Sequence, residues 1–205
     1  MKGHIIFLVF LLNSFVGYSQ IVIPDGTKTV QDEQYREKNI HSIIIPGTVT
    51  YIGDFAFYGN ELENIMLPNG LTEIGIGAFR NNKLRTIIIP DSVENITIGA
   101  FANNRLTEIK ISNNMKFIFA DSFANNLLIK INIPENIKKI YGSAFKNNRI
   151  IEITIGSDVE FVKSNYDSNI FGEFDEKFCE LYYENNKKGG HYKYNENKQI
   201  WEYIK

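Results

Sequence analysis

Two histidines, His41 and His191, stand beyond the amino-terminal segment, and the chain has one cysteine, Cys179. Neither histidine has a partner at metal-ligand spacing, and no H-E-x-x-H or C-x-x-C occurs. No G-x-S-x-G elbow presents a nucleophile, and no glycine-rich loop opens a helix to cradle a phosphate. Carboxylates are plentiful but scattered, so nothing selects an acid–base pair. Cys179 cannot close an internal disulfide and reads as a small buried apolar residue, with a bond to another molecule as the alternative. These residues predict no enzyme, no metal site and no cofactor. What remains is the chemistry of contact. Candidates are the apolar and polar side chains of Ile44, Met66, Ile88, Thr86, Glu108, Lys110, Lys130, Asn132 and Glu152. A second set is the rings of Tyr192, Tyr194, Trp201 and Tyr203 near the carboxyl end.

The first set is placed by a repeat. Phe57, Phe79, Phe101, Phe123 and Phe145 are spaced by 22 residues every time. Ala56, Ala78, Ala100, Ser122 and Ala144 precede them, and Asn60, Asn82, Asn104, Asn126 and Asn148 follow three later. Ile65, Ile87, Ile109, Ile131 and Ile153 hold the same phase. So do Pro24, Pro46, Pro68, Pro90 and Pro134, with Ser112 as the exception. Two more apolar columns run Val49 to Val159 and Ile52 to Val162. Each coil reads L-x-x-I-x-I-P-x-x-V-x-x-I-x-x-x-A-F-x-x-N plus one variable residue.

A single coil of this length cannot bury its own apolar columns, so coils must stack, each column on its copy above and below. The I-x-I unit alternates as a short strand does, and the turn after it stops the strand. The Phe column predicts a spine of stacked rings on the convex side. The Asn column predicts side-chain bonds to backbone at a turn. With Ile87 and Ile89 inward, Thr86 and Ile88 point outward. One outward column is then Ser42, Asn64, Thr86, Glu108, Lys130 and Glu152. The other is Ile44, Met66, Ile88, Lys110, Asn132 and Thr154. Ile44, Met66 and Ile88 form an apolar strip beside a charged half, as a partner contact would. The alternatives are that these residues merely suit a strand, or that the amino-terminal segment folds over them. Phe117 and Phe119, on the other side, read as packed rather than exposed.

This pattern resembles the BspA-like leucine-rich repeats of bacterial surface proteins, whose coils carry similar I-P, V-x-x-I-G and A-F-x-x-N units. The resemblance covers about residues 23–162. It implies a leucine-rich-repeat solenoid with a parallel β-sheet on the concave face, and export with a role in adhesion or host-protein binding. Two departures stand out: Ser112 replaces Pro, and Phe119 and Tyr141 stand where Gly53 and Gly75 are found earlier, so the convex turn there must differ.

The expected organisation is a signal peptide at 1–19, a solenoid at 20–162 and an aromatic C-terminal cap at 163–205. The coils run 24–45, 46–67, 68–89, 90–111, 112–133 and 134–155, and the first, with Gln34-Tyr35 for Ala-Phe, is an atypical end coil. In the tail, Phe171, Phe174 and Phe178 lead into Leu181-Tyr182-Tyr183, and turn signals at 185–190 and 195–197 separate what read as two or three short strands, a hairpin or meander. Its Gly-x-Tyr-x-Tyr…Trp pattern resembles a short aromatic motif that follows such repeats in some bacterial proteins. It would cover the last coil, or else offer rings to a protein or glycan, making the chain a spacer or adhesin acting through its end.

Lys2, the apolar run Ile5–Leu12 and small residues Gly17 and Ser19 lay out a leader cut before Gln20, too short to span a membrane, which takes about 20 apolar residues. The expected location is secreted or at the cell surface, with the periplasm open. Hydrophobic residues make up 43% and the net charge is −2, so the chain is neither disordered nor a nucleic-acid binder by composition. The partner expected is a protein, of the host or the extracellular space. The sequence leaves the oligomeric state open.

Overall fold

The computed structural model describes residues 20–163, 169–171 and 175–204. The expected leader at 1–19, Phe174 and Lys205 lie outside the described residues. The chain winds through β1 (Gln20–Val22), β2 (Thr29–Val30), β3 (Ser42–Ile44), β4 (Tyr51–Ile52) and β5 (Glu73–Ile74). It continues through β6 (Thr86–Ile88), β7 (Asn95–Ile96), β8 (Glu108–Lys110), β9 (Phe117–Ile118), β10 (Lys130–Ile133), β11 (Lys139–Tyr141), β12 (Glu152–Ile155) and β13 (Glu160–Val162). Helix α1 (Asp175–Glu184) and the strands β14 (Gly190–Asn195) and β15 (Ile200–Ile204) complete it.

The result is a parallel-strand leucine-rich-repeat solenoid with two lines of strands. On the front, β1 pairs with β3, β6 with β8, and β10 with β12, all parallel. On the back, β2, β4, β5 and β7 form one ladder and β9, β11 and β13 another. Partners are 22 residues apart, as with Ile87 and Ile109 or Ile52 and Ile74. The last back strand departs from this. Phe161, not Val162, lies opposite Ile140, one residue early. Its ring needs the interior: Phe161 is buried against Phe171, Phe178 and Tyr182, while Val162 is half-exposed.

The Phe column stacks as expected. Centroids from Phe57 to Phe145 are 5.1–5.8 Å apart with interplanar angles of 2–14°. Tyr35 begins the stack at 5.4 Å from Phe57, and Phe171 ends it at 5.7 Å from Phe145. Each ring from Phe57 to Phe145 in this offset-parallel column buries its faces on two neighbours. The Asn column closes the same edge. Asn104 Nδ2 donates to its own coil's Phe101 carbonyl at 3.1 Å and to Phe79 of the preceding coil at 2.9 Å. Its Oδ1 accepts from the Leu84 amide at 3.0 Å. Asn60, Asn82, Asn126 and Asn148 repeat this set, so buried backbone groups find partners where the coil turns.

At the convex turn the early glycines are required by closeness. A Cβ on Gly75 would stand 2.6 Å from the Gly53 carbonyl carbon and 2.7 Å from the Asp54 amide nitrogen. The later coils turn differently: Phe119 and Tyr141 stack there at 5.4 Å.

The tail is not built of strands alone. Residues 175–184, which include Leu181-Tyr182-Tyr183, form α1 rather than a strand. Phe178, Cys179 and Tyr182 are buried at one face, spacing that a helix provides and a strand does not. The helix ends in a Schellman motif: Lys187 N–H donates to Tyr182 O, Asn186 N–H donates to Tyr183 O, and Asn186 is left-handed at φ 53°. The hairpin β14–β15 then pairs antiparallel with β12, so the front sheet ends in the order β10-β12-β14-β15.

Candidate functional site

The front face carries both outward columns where strand alternation puts them. Ile44 is 40% exposed, Ile88 66% and Met66 87%. Val22, opposite Ile44 in register and 54% exposed, lengthens the apolar strip by one strand. The 22-residue spacing to Ile44 marks it in the sequence, but counting coils from Pro24 left it out. Thr86, Glu108, Lys110, Lys130 and Asn132 are exposed and Glu152 is half-exposed.

The front sheet is interrupted twice, and a groove lies at each interruption. Asn64–Leu67 forms no ladder with β3 or β6, and its inward Ile65 is half-exposed. There a groove of about 570 Å³ is lined by Met66, Thr86, Ile88 and Lys110. The second interruption falls between β8 and β10. The back ladder breaks between the same two coils, at β7 and β9, where the fifth coil starts with Ser112 in place of Pro. Ser112 is buried and its hydroxyl donates to Val93 O at 2.7 Å. The spine stays bonded across this seam, through Phe101 N–H to Ser122 O and Leu127 N–H to Leu106 O. A groove of about 920 Å³ lies over it, lined by Glu108, Lys110, Lys130, Asn132, Glu152 and Thr154. The grooves thus gather every sequence-predicted front-face candidate except Ile44.

Turn residues that the sequence reading did not single out form one wall. Asn69 and Asp91 border the smaller groove, and Asn113 and Glu135 the larger, all in one 22-residue column. Two bonds brace this column: Asn113 N–H donates to Asp91 Oδ1 at 3.0 Å, and Ser157 N–H to Glu135 Oε2 at 3.2 Å. The bond from the Asn113 backbone holds the Asp91 carboxyl below its ordinary range.

The hairpin continues this face. Lys193 lies opposite Glu152, and Glu202 opposite Lys193. Glu108, Lys130, Glu152, Lys193 and Glu202 therefore alternate in sign across five successive strands. Glu108, Lys130 and Lys193 form no ion pair among the described residues. Glu152 has His191 Nε2 at 3.6 Å.

The aromatic tail faces mostly the other way. Tyr192, Tyr194 and Trp201 are buried, and Tyr203 is half-buried with its ring 5.1 Å from Tyr192. Their surface goes into closing the last coil with Phe178 and Tyr182, because an open coil end would leave the core wet. Phe117 and Phe119 are half-buried on the back, edge to face at 6.1 Å. Cys179 is buried. Among the described residues no three His, Cys, Asp or Glu side chains converge to hold a metal ion, and no helix is long and apolar enough to cross a membrane.

A family model for the BspA type leucine rich repeat region matches residues 13–128 and 51–170, with six copies. Among solved structures, a leucine-rich repeat protein from Eubacterium ventriosum is similar at 24% identity and a TM-score of 0.53, over 70% of this chain and 43% of that one. A leucine rich cell surface protein from Faecalibacterium prausnitzii is 22% identical, with a TM-score of 0.35 over 72% of this chain and 60% of that one. A leucine-rich repeat protein from Bacteroides ovatus is 18% identical, with a TM-score of 0.36 over 72% and 52%. This chain spans less than two thirds of each of these three proteins. No curated protein matches it.

Proposed function

Because the chain belongs to the BspA type leucine-rich-repeat family, we propose that it is an exported adhesion module that binds a protein partner on its front face. One observation carries this reading. Side chains that face inward are nearly the same in every coil, whereas those that face out of the front sheet change from apolar to charged along it and are left exposed over two grooves. A fixed scaffold with varied outward positions is how repeat proteins make contact surfaces. The contact residues are Ile44, Met66, Ile88 and Thr86 on the apolar half, and Glu108, Lys110, Lys130, Asn132 and Glu152 on the charged half. The leader at 1–19 supports delivery to the cell surface or the medium. Adhesion through Tyr192, Tyr194 and Trp201 has less support, since those rings are turned into the core.

The test is an interaction screen of the full chain against extracellular proteins and glycans of its habitat, alongside Ile44→Asp/Ile88→Asp, with circular dichroism on both. A protein captured by the native chain and lost by the folded double variant is the expected result. A partner that the variant keeps would move the contact off this face, and indifference of every partner to the front face would favour a spacer.

A further inference from the structure

Between the fourth coil (90–111) and the fifth (112–133) the solenoid is open on both faces at once. Neither β8 and β10 on the front nor β7 and β9 on the back are paired. The next seam shows what is missing. There Lys138 N–H donates to Lys116 O, and Ile151 N–H to Ile129 O, each at 2.8 Å. One coil earlier the matching bonds, from Lys116 N–H to Glu94 O and from Ile129 N–H to Thr107 O, are absent among the described residues. Packing loosens at the same level. Inward Ile109 is half-exposed, where Ile87 and Ile153 are buried. The 5.8 Å between Phe101 and Phe123 is the widest step from Phe57 to Phe145. The other front interruption, at Asn64–Leu67, differs in kind, because behind it the back ladder runs on unbroken through β4, β5 and β7.

What joins the two coils lies at the ends of the coil rather than on its faces. At the spine, Gly99 N–H donates to Ala120 O at 3.0 Å and Phe101 N–H to Ser122 O at 2.9 Å. At the turn after the front strand, Ser112 Oγ donates to Val93 O at 2.7 Å and Asn114 Nδ2 to Asp91 O at 2.6 Å. A line from spine to turn therefore runs between an open front and an open back. Rotation about that line spreads one face while it closes the other, and it breaks no ladder bond. At a fully paired seam the same rotation would break a row of them. An array of repeats yields first at its weakest interface. We infer that this seam is a rocking joint between the coils up to 111 and those from 112 onward, and that it sets the width of the larger groove. The lining of that groove is divided by the joint, with Glu108 and Lys110 on one side and Lys130, Asn132 and Glu152 on the other. The joint's bearing on a partner rests on the front-face reading above. The rotation itself does not, and it is measured with no partner present.

Paired nitroxide labels on outward positions of the full chain test this, with buried Cys179 left unlabelled. Each pair spans three strand intervals. On the back, Glu73→Cys/Lys139→Cys crosses the seam, and Thr29→Cys/Asn95→Cys spans the unbroken ladder β2-β4-β5-β7. On the front, Thr86→Cys/Glu152→Cys crosses it, and Lys130→Cys/Glu202→Cys spans β10-β12-β14-β15. The expected result from dipolar broadening is a distance distribution at least twice as wide for each crossing pair as for its control, in variants that keep the native dichroism spectrum. Equal widths on both faces would mean a fixed gap and overturn the joint. Broadening on one face alone would be fraying of that face, and would overturn it too. Either failure leaves the front-face assignment to the interaction screen, which decides it separately.

Discussion

Phe101 meets Phe79 on one side and Phe123 on the other, at 5.3 and 5.8 Å. On the front face, Ile88 lies in register with Lys110, and Lys130 with Glu152. The same 22-residue coil thus obeys two rules. Along the spine each residue must fit a copy of itself, so one ring and one amide recur. On the front a residue need only leave the strand intact, so chemistry drifts from Val22 to Glu202. The difference separates what stacking demands from what stacking leaves free. It also locates function by subtraction, since a column that repeats is explained by its neighbours within the chain.

The sharpest way to break this comparison is to remove one ring from the middle of the spine. Phe101→Ala empties a fully buried site between two stacked rings and should cost about 4 kcal/mol in urea unfolding. A loss below about 1 kcal/mol would mean that the stack is not what holds the coils together. Next in size is the amide. Asn104→Ala strips the Leu84 N–H of its acceptor and two carbonyls of a donor, all at buried positions. About 3 kcal/mol of stability should go with it, read by the same denaturation.

The buried rings of the carboxyl end behave as spine rather than as face, and Tyr182 lets this be titrated. Its hydroxyl donates to Gly156 O at 2.8 Å and accepts from Val159 N–H at 3.0 Å, pinning α1 under the last coil. Burial pushes its pKa up from the ordinary 10 to about 12. The folded chain therefore holds this proton more tightly than the unfolded chain does. The resulting stability is complete below pH 10 and is lost as pH rises from there through 12, by about 2 kcal/mol. Tyr182→Phe should flatten this alkaline decline, leaving the parts contributed by Tyr192 and Tyr51, which burial shifts the same way. Unfolding free energies measured from pH 8 to 12 decide it.

The columns were legible because repetition multiplies a weak signal: one Phe means little, but five at constant spacing fix the stack, the inward strand residues and hence the outward ones. Where repetition stopped, so did the reading. Phe171 is the next ring of the spine, yet it lies 26 residues after Phe145 and so falls out of phase. Phe161 takes the core place read for Val162 because one residue is missing from that strand. Phe178, Cys179 and Tyr182 have helical spacing, but the turn signals around them suggested strands. The grooves were illegible for a different reason. They depend on where ladders between coils fail, and no single residue type encodes that. Only Ser112, which broke the proline column, stood at one of the two places. That the hairpin would carry the front face onward through Lys193 and Glu202 depended on its pairing with β12, a long-range choice.

The smallest expected effect is also the one that tests the front face as a free surface. Met66 is 87% exposed and sits on the segment that joins no ladder, so neither packing nor pairing in this chain depends on it. Met66→Asp should shift the unfolding free energy by no more than about 0.5 kcal/mol, the ordinary range for surface positions. The inward neighbour Leu67 is 9% exposed, and the same charge there has no water to meet. The two adjacent substitutions thus ask one question from opposite sides of a strand. Should Met66→Asp cost more than about 1 kcal/mol, the side chain must be covered in solution, either by the amino-terminal segment or by another copy. Dependence of that cost on protein concentration would tell the two covers apart, because only a second copy obeys mass action. A flat response would leave the apolar strip exposed without a structural role, as a contact surface requires.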